Sequence, residues 1–527
     1  MWGIAEKFQS NAVIWNGATP TAADLNGDNI SELIVTANDY SGYYVYRGNG
    51  SNASTATKNY VIATTNARSV QPAVANIIGN SSSAPEVVMV NSTGFVYIFD
   101  NQSGTETSYL YKSTTASQYT SDVTPYIVDI DEDGTAEIVL GSDIFGIVGG
   151  ALVKRVAGTP LNYIGATSGA TGTAIDVVVL DIIASNPGKE LVYGSRVYSV
   201  NLTAGTMAVL KDLSTIAGSG AAAGDNGPTA VADMDLDGDL DIVYNGSANV
   251  YIWDPNQSIV LFKRIPPAFS YGVRGLPLIA NVYNEKVNNG KATDLPEIVI
   301  VTSAGATAGA LTAYNLNFPN ANLWFITTDD MSGATGLTAF DFDGNGIREI
   351  VYRDQTQLRI INGNLAAPVN YASVAAASST WGEYPIVGDF DNDNQADIAV
   401  TADSKLRVFN RAVNTFAWKD APNYWNQRNY RIVNINSDLT VPTTEISAAS
   451  SVAYNNNAAQ LQLSDAISSG TLTGTYAPDA TITINSITGN CPTTVISATI
   501  RNLGAAILPS GTYVSIYDAD PRAGAAN

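Results

Sequence analysis

The chain has 527 residues, enough for several ordinary domains or one large repetitive one. Asp plus Glu is 48 and Lys plus Arg is 26, a formal net charge of −22, so composition argues against nucleic acid as a partner and for cations. There is no histidine and a single cysteine, Cys491, which removes imidazole catalysis, His-ligated zinc or haem, Cys-ligated zinc or iron–sulfur, and an internal disulfide framework.

Apolar residues make up 45% of the chain, enough to bury a large core. No run of 18 apolar residues occurs, so no membrane-spanning helix is predicted. Met1 to Lys7 has neither a basic nor an apolar region of the kind found in signal peptides. If the protein is secreted, the expectation is a mature product or an internal section.

In chain order, the first element is Gly3-Ile-Ala-Glu-Lys-Phe-Gln9, an orphan strand. Eight copies of one pattern follow, starting at residues 24, 76, 129, 181, 233, 281, 341 and 389, a period near 50. Such a period with short strands predicts a propeller or solenoid array. Five copies carry an acidic loop and align without gaps. They are Asp24-Leu-Asn26-Gly-Asp28-Asn-Ile30-Ser-Glu32, Asp129-Ile-Asp131-Glu-Asp133-Gly-Thr135-Ala-Glu137, Asp233-Met-Asp235-Leu-Asp237-Gly-Asp239-Leu-Asp241, Asp341-Phe-Asp343-Gly-Asn345-Gly-Ile347-Arg-Glu349 and Asp389-Phe-Asp391-Asn-Asp393-Asn-Gln395-Ala-Asp397. Each precedes an apolar, β-prone run such as Leu33-Ile-Val35 or Ile242-Val-Tyr244. Three weaker copies, at 76, 181 and 281, keep the terminal acid (Glu86, Glu190, Glu297) and the strand but lose the ladder. They are expected to hold no metal, or a poor site.

Each unit continues with an aromatic alternating strand, as in Tyr43–Tyr46, Phe95–Phe99, Val250–Trp253 and Leu406–Phe409, then a polar turn. A looser fourth strand closes it, as in Ile259–Lys263 and Leu323–Thr327. Four antiparallel strands per period make one propeller blade. The expected fold is therefore all-β: an eight-bladed propeller, alternatively seven-bladed if one weak copy is an insertion. The N-terminal strand would close the ring by pairing with the last blade, removing an exposed edge.

Alternating carboxylates crowd one point only if something positive sits there. A hard divalent cation with oxygen ligands fits, and calcium tolerates irregular six-to-eight coordination. The expected ligands are the side chains at loop positions 1, 3, 5 and 9 and the backbone carbonyl at 7, namely Ile30, Thr135, Asp239, Ile347 and Gln395. Gly or Asn at position 6 would supply a left-handed turn. An EF-hand is excluded, because position 12 is Val35, Leu140, Tyr244, Tyr352 or Val400 rather than Glu.

Strand, Asp-x-Asp-x-Asp-Gly-x-x-Asp/Glu, strand at this spacing resembles the FG-GAP/VCBS repeats of integrin α-subunit heads and bacterial surface proteins. The resemblance covers residues about 15 to 430. It implies a seven- or eight-bladed calcium-binding propeller whose roughly five Ca²⁺ brace the blade rims and are structural. Asn29 and Asn394 depart from the family's Gly.

Trp425 to Pro442 is similar to segments that follow such propellers in Bacteroidetes surface proteins, so the propeller is expected to span 1–442. Residues 443–478, rich in Ala, Ser, Thr and Asn, read as a linker or loosely packed strands. Alternation returns in Thr481–Asn485, Val495–Arg501 and Tyr513–Tyr517. Residues 479–527 resemble the start of a CARDB-like, immunoglobulin-type sandwich, which needs about seven strands. A section of a longer polypeptide is the expectation. Cys491 would pair beyond the segment or stay a buried thiol.

The favoured function is a non-enzymatic extracellular structural or adhesive module of a large secreted bacterial surface protein or appendage. Its partners would be other copies or domains of that protein, or cell-surface glycans and proteins. A lectin-like propeller, with Tyr43, Tyr44 or Trp381 stacking on sugar, is the alternative. A polysaccharide lyase similar to rhamnogalacturonan lyases is disfavoured, because it needs a base and a basic groove, and the cations are scattered.

Overall fold

The computed structural model describes residues 2–463, apart from 64–70, 79–83, 101, 121–122, 162–174, 267–274, 304–308, 331, 379, 381 and 452, together with 480–490 and 493–502. Eight antiparallel sheets follow one another along the chain. They are the eight blades of a propeller, one for each sequence copy. Blade 5 shows the plan: Thr229–Ala232, Asp241–Asn245, Val250–Asp254 and Ile259–Arg264 pair in order. Blade 1 gains a fifth strand, because Gly104–Thr105 from the next blade pairs parallel to Tyr60–Val61. Helix is confined, among the described residues, to Glu285–Asn289 and two single 3₁₀ turns.

The ring closes as the sequence suggests. Ile4–Gln9 is the fourth strand of blade 8, antiparallel to Lys405–Arg411, beside Asp397–Ala402 and Ile386–Gly388. Both ends of the propeller sequence thus share one sheet. That leaves no free blade edge at the seam.

The first two strands of a blade are buried on both faces, as in Thr229–Ala232 and Asp241–Asn245. This explains their continuous apolar runs, since each face meets a neighbouring blade. Val178, Val192, Val231, Ile242, Tyr244 and Trp253 form one cluster between blades 4 and 5. Val243, Ile252, Ile279, Ile298 and Ile300 form the next, between blades 5 and 6. Alternate residues of one strand therefore belong to different interfaces.

The compact unit runs to Gln462, beyond the expected boundary at 442. The linker reading fails for 443–462, because this stretch and the preceding one fill the middle of the ring. Trp425 pairs with Ala22 of blade 1, and Asn426 O accepts Val74 N of blade 2. Gln427 Oε1 accepts Ile127 N of blade 3, and Asn429 Nδ2 donates to Val177 O and Thr229 O at blades 4 and 5. After a loop, Asn457 pairs with Ile279 of blade 6, Gln460 N donates to Ala339 O of blade 7, and Gln460 Nε2 donates to Val387 O of blade 8. One polar plug thus touches the innermost strand of every blade. It meets the rule that buried backbone groups find partners. Asn426, Gln427, Asn457 and Gln460 are all fully buried.

The second unit, Leu463–Asn527, shows one antiparallel pair, Ala480–Asn490 with Thr493–Asn502, bulged between Ile484 and Ser486. The expected strand at Tyr513–Tyr517, and Cys491, lie outside the described residues.

Candidate metal sites

The five acidic loops each join the first and second strands of a blade. Position 1 organises the turn. The Asp24 carboxylate accepts the backbone N–H of Asn26, Gly27, Asp28 and Asn29, and Asp341 accepts those of Gly344, Asn345 and Gly346. Asp129, Asp233 and Asp389 accept N–H groups from Gly134, Gly238 and Asn394. Position 5 caps its own turn: Asp28, Asp133, Asp237, Asn345 and Asp393 accept the N–H of Ile30, Thr135, Asp239, Ile347 and Gln395. Position 6 is left-handed in all five, at φ 63° for Asn29, 87° for Gly134, 101° for Gly238, 86° for Gly346 and 64° for Asn394. Position 4 is left-handed as well, including Glu132 and Leu236. The sequence offered no glycine pattern to announce that.

Carboxylates at positions 1, 3 and 9 converge in four loops. In Asp129/Asp131/Glu137, Asp233/Asp235/Asp241, Asp341/Asp343/Glu349 and Asp389/Asp391/Asp397, one oxygen from each lies within 4.8 Å of the others. Twice a calcium–oxygen distance of about 2.4 Å gives the same span. The Asp233 Oδ1 atom is buried and has no hydrogen-bond donor, so an acceptor is left over where a cation would sit. The donor set and spacing therefore fit a hard divalent ion. The first loop differs: Asn26 occupies position 3, and its Nδ2 donates to Glu32 Oε1.

Burial raises the position-9 acids, with neighbouring carboxylates adding to the rise. Glu32 is pushed up to about 7, Glu137 to about 8, Asp241 to about 8 and Glu349 to about 9. A bound cation would oppose this.

The position-9 acid has a second task that explains its survival in the weak copies. Its carboxylate accepts the N–H that opens the loop: Leu25 to Glu32, Ile130 to Glu137, Met234 to Asp241 and Phe342 to Glu349. Glu86 does the same for Ile77, Glu190 for Ile182 and Ile183, and Glu297 for Val282 and Tyr283. Glu190→Ala is therefore expected to cost about 1–3 kcal/mol through unsatisfied buried donors. Denaturant melts should show the same loss with and without chelator, whereas a loss confined to calcium buffer would point to a metal role.

Of the proposed sugar-stacking aromatics, Tyr43 is unavailable to a ligand. Tyr43 is fully buried, Tyr44 is half-buried, and Trp381 lies outside the described residues.

The crystal structure of the V. cholerae biofilm matrix protein Bap1 is similar in fold, with a TM-score of 0.64 at 15% identity, covering 88% of this chain and 100% of that one. A Bacillus licheniformis rhamnogalacturonan lyase gives 0.45 at 15% identity, over 74% and 71% of the two chains. The Comamonas testosteroni quinohemoprotein alcohol dehydrogenase gives 0.44 at 11%, over 82% and 79%. No protein-family model matches the chain, and no curated protein matches it in sequence.

Proposed function

We propose that this chain is a non-enzymatic structural or adhesive module of a secreted bacterial surface or matrix assembly, with calcium ions bracing the propeller rim. The single observation that carries the reading is the plug. The middle of the ring, where a propeller has its central channel, is filled by Trp425, Asn426, Gln427, Asn457 and Gln460 of the chain itself. What remains for contact is the outer surface. The likeness to a biofilm matrix protein over its whole length supports the same class of role. Millimolar extracellular calcium would suit several acidic loops of this kind. Other copies or domains of the same surface protein, and cell-surface glycans or proteins, are the partners this reading names. The FG-GAP/VCBS and CARDB resemblances belong to it as well.

Immunogold microscopy of the native source tests the location. Label on the cell surface or in extracellular material is expected, and label confined to the cytosol would sink the reading. Incubation with rhamnogalacturonan should release no unsaturated sugar. A ligand bound only by the folded state adds about 2.7 kcal/mol at a hundredfold excess over its Kd. Asp233→Asn should forfeit up to that amount in calcium and almost nothing in EDTA. Equal losses in both buffers would remove calcium from the account of blade 5.

A further inference from the structure

The fourth strand of five blades carries a β-bulge at one equivalent place. In blade 8, Glu6 pairs with Phe409 and Phe8 with Val408, so Lys7 is the extra residue. In blade 3 the extra residue is Arg155, between Lys154 and Val156. It is Leu210 in blade 4, Leu261 in blade 5 and Tyr371 in blade 7. A bulge re-aims a side chain, and in blades 8 and 3 it aims at the loop of its own blade.

What arrives there differs between blades. Lys7 Nζ lies 2.5 Å from Asp391 Oδ2 and 3.0 Å from both oxygens of Asp397, the acids at positions 3 and 9. Arg155 reaches the same two positions in blade 3, with 3.0 Å to Glu137 and 3.7 Å to Asp131. Blade 3 also has room for the arginine stem. A Cβ on Gly146 of the third strand would stand 2.8 Å from Arg155 Cδ. Among the described residues, ion pairs to loop carboxylates occur in blades 1, 3 and 8. In blade 1 the partner is Arg47 of the third strand, holding only Asp28 at position 5. Leu210, in a blade without the acidic ladder, packs on the apolar cluster between blades 4 and 5. Leu261 and Tyr371 likewise pack on apolar clusters, and neither brings a charge.

We propose that the bulged residue of the fourth strand selects the counter-ion of its blade: Lys7 and Arg155 take the place of a divalent cation in blades 8 and 3, while Leu261 leaves that place to one in blade 5. The inference rests on the bracing reading above, and it departs from the expectation of one calcium per acidic loop. An ammonium and a guanidinium each bridge positions 3 and 9, the two acids a metal would have to share. A second full cation at that spacing would be repelled. In blade 8 the same contact fastens the N-terminal strand, so the ring seam is held by an internal charge and needs no calcium.

The test is the calcium content of the folded full chain, by elemental analysis after dialysis at fixed free calcium. Lys7→Leu is expected to gain one ion per chain; Oδ1 of Asp391, buried without a donor, would be among the acceptors it uses. Arg155→Leu should also gain one. Leu261→Arg should lose one. If Lys7→Leu fails to fold, Arg155→Leu gives the same reading on a blade away from the seam. A count that stays fixed in either direction overturns the selection, as does loss of an ion in Asp391→Asn. A wild type with no calcium overturns the bracing itself, whereas a wild type whose calcium ignores these substitutions overturns only the selection.

Discussion

Arg428→Ala should destabilise the propeller by about 3–5 kcal/mol, the usual result of removing one partner from a buried ion pair. Arg428 Nε lies 3.0 Å from Asp176, and the side chains are 4% and 2% exposed. The guanidinium also donates to Gly382 O at 2.8 Å and lies over the Tyr384 ring at 5.3 Å. Asp176 leads into blade 4, and Gly382 and Tyr384 lead into blade 8. These blades face each other across a ring of eight, so one side chain ties opposite walls together. Without it, Asp176 keeps Thr124 Oγ1 as a donor but loses its counter-charge. Burial already raises the Asp176 carboxyl and Arg428 opposes that rise, so the orphaned acid should take up a proton more readily than in the native pair. The loss should accordingly shrink in acid. Arg428→Met combined with Asp176→Leu should recover much of it, since apolar replacement of a whole buried pair is often neutral. Denaturant melts of the two variants decide the matter. A single substitution costing under about 1 kcal/mol, as surface changes do, would mean the plug is not part of the cooperative unit.

Chelator and pH should act together on melting temperature. The position-9 acids have folded-state values above their unfolded ones, about 9 for Glu349 and about 8 for Asp241 and Glu137, chiefly through burial. Between the unfolded value and the folded one, the native state binds protons that the unfolded state has released. Stability contributed this way is complete below the unfolded value and is lost as pH rises through the folded one. In EDTA the protein should therefore be more stable near about pH 5 than about pH 8, each pH step of one between the two values being worth at most about 1.4 kcal/mol per group. Repulsion within a chain of net charge −22 acts in the same direction. The calcium increment separates the two. A cation binds the ionised acids, so calcium should raise the melting temperature more at the higher pH. An increment independent of pH would show that Glu349 and Asp241 are not its ligands.

Much of the architecture was legible because it is periodic. Eight copies at a spacing near 50 predict eight blades, and the propeller has eight sheets. The aromatic alternation of Val250–Trp253 marks a third strand because side chains on a strand alternate between two faces, here two blade interfaces. Gly3–Gln9 reads as an unfinished blade, and the ring completes it. The acidic ladder places its acids at positions 1, 3 and 9, and in four of the five loops the fold brings those three together.

Three features emerge only in the folded chain. Asn457 and Gln460 fall in the stretch that reads as a linker, and Asn426 and Asn429 in the polar segment after the last blade, yet each is buried against backbone groups of blades that are tens to hundreds of residues away in sequence. No local pattern reports such partners, because an amide that satisfies a distant backbone carbonyl has the composition of a solvated loop. Tyr43 is polar-tipped and lies on a short strand, and only blade packing puts it inside. The bulges that aim Lys7 and Arg155 into their loops leave no mark in strand alternation, since a bulge is defined by pairing with a second strand. Repetition along the chain is enough to count the blades and to locate where each could collect oxygen ligands. Contacts between residues far apart in the chain settle what fills the centre and which loops already hold a cation of their own.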